Sequence, residues 1–157
     1  MKKLILSIAL GIFTIASLTA QNNDQEIGLI GSILKSEIKV FFAQNIELAS
    51  SEANLFWEIY EEYEEAVKPV SRERIKLMEE IIKKGGELTQ DELDAKIILL
   101  QKSQKKRFDL RNKYYKVYKK KLSVKVAAQF YQIDSYIYTH IAASLNEGMP
   151  LVKPKAN

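Results

Sequence analysis

Residues 55–93 read LFWEIYEEYEEAVKPVSRERIKLMEEIIKKGGELTQDEL, and this stretch decides the fold. Leu55, Phe56, Ile59, Tyr60, Tyr63, Val67, Val70, Leu77, Met78 and Ile81 recur at three- and four-residue intervals, which places them on one stripe of an α-helix. Gly85-Gly86 breaks the pattern just after Lys83 and Lys84, cations that oppose the helix dipole in a closing turn. Thr89 and Glu92 then have the spacing of a capping box, and Leu88 can staple onto Leu93. The stretch predicts a long helical hairpin, with one helix over residues 50–84 and the next over 89–121.

Working outward, the same periodicity continues on both sides. Ile27, Ile30, Leu34, Ile38 and Phe41 or Phe42 predict a helix over residues 26–45. Ser123 is placed to cap a fourth helix carrying Ala127, Phe130, Tyr131, Ile137, Ile141 and Leu145. The expected fold class is all-α. Each arm of the hairpin would be roughly 50 Å long, whereas a compact globule of this size has a radius of gyration near ~14 Å. An elongated four-helix subunit follows, and Pro69, inside the second helix, predicts a bend and hence curvature.

The chain opens with Lys2-Lys3, an apolar run over residues 4–18, and Thr19-Ala20-Gln21. This pattern predicts a secretory signal peptide over residues 1–20, cut after Ala20, because the run is too short to serve comfortably as a membrane-spanning helix. Residues 21–145 then form one all-helical domain. Residues 146–157, with Gly148, Pro150 and Pro154, form a disordered tail. Export to a bacterial periplasm removes ATP, nicotinamide cofactors and nucleic acid from the expected partners. The chain has no cysteine, so no disulfide supports the fold and no lipidated cysteine tethers it. After signal removal no stable membrane insertion is expected.

Enzyme chemistry finds little to work with. His140 is the one histidine, Gly85-Gly86 lacks the Lys-Ser/Thr of a phosphate loop, and Ser50, Ser51, Thr89 and Ser123 stand where helix caps belong. Glu58, Glu61, Glu62 and Glu65 at helical spacing read as a solvated face rather than as paired catalytic carboxylates. No catalytic residue, cofactor or metal site is expected.

Charge is segregated. Between Leu48 and Val67 there are six glutamates and no basic residue, whereas residues 102–121 hold ten basic residues against Asp109 alone. An antiparallel hairpin sets these stretches side by side, so ion pairing that selects register is one role for them. The other is a free basic face, formed by Lys102, Lys105, Lys106, Arg107, Lys113 and Lys116, that attracts acidic partners.

Leu48-Ala49-Ser50-Ser51-Glu52-Ala53, followed by Phe56-Trp57, resembles the Leu-Thr-x-x-Gln motif of the Spy/CpxP family of periplasmic chaperones and stress sensors. Leu122-Ser123-Val124-Lys125-Val126 resembles the second copy, and Leu88-Thr89-Gln90-Asp91-Glu92 has the same shape. The basic stretch at Arg111, Tyr114 and Tyr115 is also similar, and Arg111 joins the basic candidates for client contact. Ala49 departs from the family's threonine, and Glu52 and Val126 depart from its glutamines. The resemblance implies a thin, curved subunit that pairs into a cradle-shaped homodimer and holds unfolded envelope proteins without ATP. Alternatively it implies an envelope-stress sensor or regulatory partner. Phe108, Tyr114, Tyr115 and Tyr118 interleave with the basic residues of the third helix and are the aromatic candidates for client contact, although Phe108, Tyr115, Tyr118 and Leu122 also follow core spacing.

Overall fold

The computed structural model describes residues 36–84 and 87–147, and among these the chain forms four helices and no strand. They are α1 over residues 36–45, α2 (Ala53–Lys84), α3 (Gln90–Lys121) and α4 (Val124–Glu147). The predicted signal segment, the first turns of the first predicted helix with Ile27, Ile30 and Leu34, and Gly85-Gly86 lie outside the described residues. So do residues 148–157 of the predicted tail, while residues 146 and 147 continue α4.

The three Leu-containing motifs all prove to be helix starts, built with different parts of one device. At Thr89 the box is complete. The Glu92 amide donates to the Thr89 hydroxyl at 3.3 Å, and the Thr89 amide donates to the Glu92 carboxylate at 2.9 Å. At Ala49 only the return arm exists, from the Ala49 amide to Glu52 Oε2 at 2.9 Å, because alanine has no hydroxyl. Residues 50–52 are accordingly a turn, and α2 begins at Ala53 rather than at Ser50. At Ser123 only the forward arm exists, from the Val126 amide to Ser123 Oγ at 3.1 Å, because valine cannot reach back. Leu48, Leu88 and Leu122 are all half-buried beside these starts.

The α2 stripe buries Phe56, Ile59, Tyr60, Tyr63, Leu77, Met78 and Ile81, with Leu55, Val67 and Val70 half-buried at its margins. The helix runs unbroken through the exposed Pro69. One main core gathers Phe41 and Phe42 of α1, Phe56 to Tyr63 of α2, Tyr114 and Tyr118 of α3, and Val126, Ala127, Phe130 and Ile133 of α4. Its centre is a set of aromatic rings. Tyr118 and Phe130 lie 4.5 Å apart between centroids, Phe42 and Tyr60 4.9 Å, and Phe130 meets Tyr63 edge-on at 5.0 Å. Such tilted and edge-to-face contacts add to the simple burial of the rings. The Tyr118 hydroxyl donates to the Phe56 carbonyl at 3.3 Å, so its polar end is satisfied inside.

The antiparallel hairpin is held along its length by pairs from α2 to α3. Phe56 stacks on Tyr118 near the core end, Val70 O accepts from the Ser103 hydroxyl at 3.2 Å in the middle, and Glu80 pairs with Lys96 at 2.5 Å near the turn.

Two substitutions separate capping physics from motif matching. Ala49→Ser supplies the missing forward arm and is expected to raise stability by about 0.5–1 kcal/mol. Val126→Gln brings the third start closer to the family pattern, yet it is expected to destabilise the fold, since Val126 is only 2% exposed and a buried amide there would lack partners. Chemical denaturation of both variants checks the pair of signs.

Candidate functional site

α3 has an unusual interior. Its buried residues are Ser103, Arg111, Tyr114 and Tyr118, with the Arg107 side chain nearly so, and none of them is aliphatic. They follow helical spacing, so α3 turns a polar and aromatic stripe inward. Phe108, which core spacing pointed inward, is 48% exposed, and Tyr115 and Leu122 are half-buried.

That stripe meets α2 and α4 at Asp134, a carboxylate only 4% exposed. Asp134 Oδ1 accepts from the Tyr63 hydroxyl of α2 at 2.8 Å and from Arg107 of α3 at 2.8 Å. Arg107 also donates to the Tyr63 hydroxyl, closing a three-helix ring of bonds. Arg111 lies with its Nε 3.6 Å from Asp134 Oδ2, an ion pair beyond hydrogen-bonding reach. The excess positive charge is spread over aromatic faces. Arg111 sits 5.0 Å from the Tyr131 ring centre, Arg107 5.3 Å from that of Tyr138, and Arg74 of α2 5.6 Å from the same Tyr138 ring.

The neighbouring tyrosines feel this low-dielectric setting. Burial, with the charges of Glu64 and Asp134 adding to it, pushes the Tyr60 hydroxyl well above the ordinary tyrosine range, and burial does the same for Tyr118. Tyr114 is raised as well, by burial and then by Glu62.

The sequence candidates therefore divide. Arg107, Arg111, Tyr114 and Tyr118 belong to the interior, where they join helices. Lys102, Lys105, Lys106, Phe108, Lys113 and Lys116 are exposed on α3, and Tyr115 stacks edge-on to Tyr131 of α4 at 6.0 Å. Lys106 pairs with Glu73 of α2 at 3.7 Å, and Lys105 pairs with Asp109 within α3 at 2.8 Å. Of the motif positions, Leu48, Glu52, Leu88, Thr89, Glu92, Leu122 and Ser123 serve the helix starts, and Trp57 is half-buried against Phe56 and Tyr60.

Sequence reasoning missed Asp134, which lies on the inward face of α4 among Phe130, Ile133 and Ile137. A lone acidic residue inside an apolar stripe was the available signal. It also missed the exposed row Ile97, Ile98 and Leu99, each 38–40% accessible on α3. Among the described residues, no three His, Cys, Asp or Glu side chains gather to hold a metal ion, and no helix is long and apolar enough to cross a membrane.

Comparison with known protein families, with curated proteins and with solved structures finds no match to this chain.

Two outcomes follow from the buried cluster. Asp134→Ala strands two guanidinium groups and is expected to cost about 3–5 kcal/mol. The double variant Arg107→Met/Asp134→Leu is expected to lose much less than the sum of its single changes, as measured by a denaturation cycle. The raised tyrosines fix the sign at alkaline pH: the folded state keeps protons that the unfolded state gives up above the ordinary tyrosine value of about 10. Stability is thus expected to be complete below that pH and to fall as pH rises beyond it. In an ultraviolet titration Tyr60 and Tyr118 are expected to ionise only as the protein unfolds.

Proposed function

We propose that this chain is an ATP-independent holdase, exported to the periplasm, that binds unfolded envelope proteins as a homodimer and carries out no enzymatic reaction. The observation that carries the reading is the surface of α3. A 32-residue helix buries four residues, and it leaves Ile97, Ile98, Leu99 and Phe108 exposed on the same helix as Lys102, Lys105, Lys106, Lys113 and Lys116. Apolar side chains scattered over a basic helix offer weak contacts to any unfolded segment, and long-range charge speeds encounter with acidic ones. The resemblance of the three helix-start motifs to those of the Spy/CpxP family supports the same reading, as does the basic start and short apolar run of residues 1–18.

Light scattering from an aggregating model protein, without nucleotide, tests it. Suppression is expected at near-equal stoichiometry, and Ile97→Gln/Ile98→Gln/Leu99→Gln is expected to abolish most of it. Stability should change by no more than ~1 kcal/mol, because these side chains are already substantially hydrated. Absence of suppression by the parent protein, together with tight capture of one envelope receptor, would replace the holdase reading with the sensor. Small-angle scattering is expected to give a dimer, and a monomer at working concentration would remove the cradle from the proposal.

A further inference from the structure

Between Asp109 and Asp134 the chain has no acidic residue, yet it has seven basic ones. Arg111 is buried, and the other six are exposed lysines on the last turns of α3 and the first turn of α4. Lys116, Lys119, Lys120 and Lys121 form no ion pair with any described residue. Of the other lysines, Lys39, Lys68, Lys96, Lys105 and Lys106 each have a carboxylate partner, whereas Lys76, Lys83, Lys84, Lys102 and Lys113 form no ion pair with a described residue.

Two of the carboxylates near this end are already engaged. Glu47, in the α1–α2 connection, accepts from Lys125 at 2.5 Å, and Glu52 holds the Ala49 amide. Amid the lysines stands Val124, at 58% the most exposed large apolar side chain of the described residues. The helix dipole favours cations in the last turn of α3, but it gives no reason for an uncovered valine beside them.

We infer that this end of the bundle, Lys116, Lys119, Lys120, Lys121 and Val124, docks on membrane surfaces bearing anionic phospholipid headgroups. Flexible lysine stems suit a diffuse layer of phosphates, and Val124 can enter the headgroup boundary while its neighbours stay at the phosphate level. Nucleic acid is the less fitting polyanion. The arginine forks and stacking rings that would grip it, Arg107, Arg111, Tyr114 and Tyr118, are turned into the protein. The inference is independent of the holdase reading, because vesicle binding is measured without a client.

Flotation with phosphatidylglycerol-containing vesicles, against phosphatidylcholine alone, tests it on the full exported chain. Binding to the anionic vesicles is expected, and it should weaken as salt is raised. Lys119→Gln/Lys120→Gln/Lys121→Gln is expected to lower affinity roughly a hundredfold, since each lysine at an anionic surface is worth about a fivefold change. Val124→Ser should lower it a few-fold. The control Lys76→Gln/Lys83→Gln/Lys84→Gln, which removes exposed lysines of α2 toward the other end of the hairpin, is expected to leave it within twofold. All these positions are exposed, so unchanged thermal unfolding verifies that the variants fold. Equal binding by parent and Lys119–121 variant, an equal loss in the control, equal affinity for neutral vesicles, or displacement by an oligonucleotide at matched phosphate concentration would each overturn the inference.

Discussion

Asp134 is the constraint on which the packing of three helices depends. Its carboxylate comes from α4, the hydroxyl it accepts from belongs to α2, and the guanidinium it pairs with belongs to α3. Such a cluster adds little net stability, because desolvating the charges offsets most of their attraction. What it does supply is register. Moving α3 by one residue along α2 would turn Arg107 away from Tyr63 and Asp134 and leave a buried charge alone, at a cost of several kcal/mol. The aromatic core beneath tolerates small adjustments more readily, since Phe42, Phe56, Tyr118 and Phe130 meet at a range of tilts. We regard the polar cluster as the element that selects one arrangement from the several that an aromatic core would accept.

The two halves of α3 turn different residues inward. Arg107, Arg111, Tyr114 and Tyr118 line the second half of the helix, whereas Leu93, Lys96, Leu100 and Ser103 take the half-buried and buried positions of the first. Ile97, Ile98 and Leu99 lie between those positions and are exposed. A helix selected for stability alone would reverse this arrangement. The exposed row therefore stands apart from the buried charges, which belong to the other half of the helix.

The amount legible in the sequence varied with the physical signal. α2 was readable almost residue by residue, because its apolar stripe is regular and the glycine pair and Thr89–Glu92 box punctuate its end; only its start shifted, from residue 50 to Ala53, since Ala49 gives half a cap. The extents of α3 and α4 were also readable. The inward face of α3 was not. Periodicity assumes that apolar residues mark the interior and so gave Phe108 a core spacing, while the basic character of Arg107 and Arg111 made them candidates for client contact rather than for the interior. The charge segregation was real, but the pairs that form across the hairpin, Glu73 with Lys106 and Glu80 with Lys96, lie nearer its turn than the glutamate-rich stretch does.

The division of the basic residues of α3 has a simple chemical logic. Both of its arginines are interior, and every lysine but Lys96 is exposed; Lys96 is half-buried against Glu80. A guanidinium is planar, weakly hydrated and able to stack, so it can be buried if a carboxylate and several rings receive it, as Asp134, Tyr63, Tyr131 and Tyr138 do here. An ammonium is a compact and strongly hydrated charge, and it loses too much on leaving water to serve in that place. Exchanging the two residue types along α3 would preserve its net charge and helical propensity while removing both the joint between helices and the soft cationic surface. The character of α3 therefore resides in which cation stands at which position, a distinction that net charge does not capture.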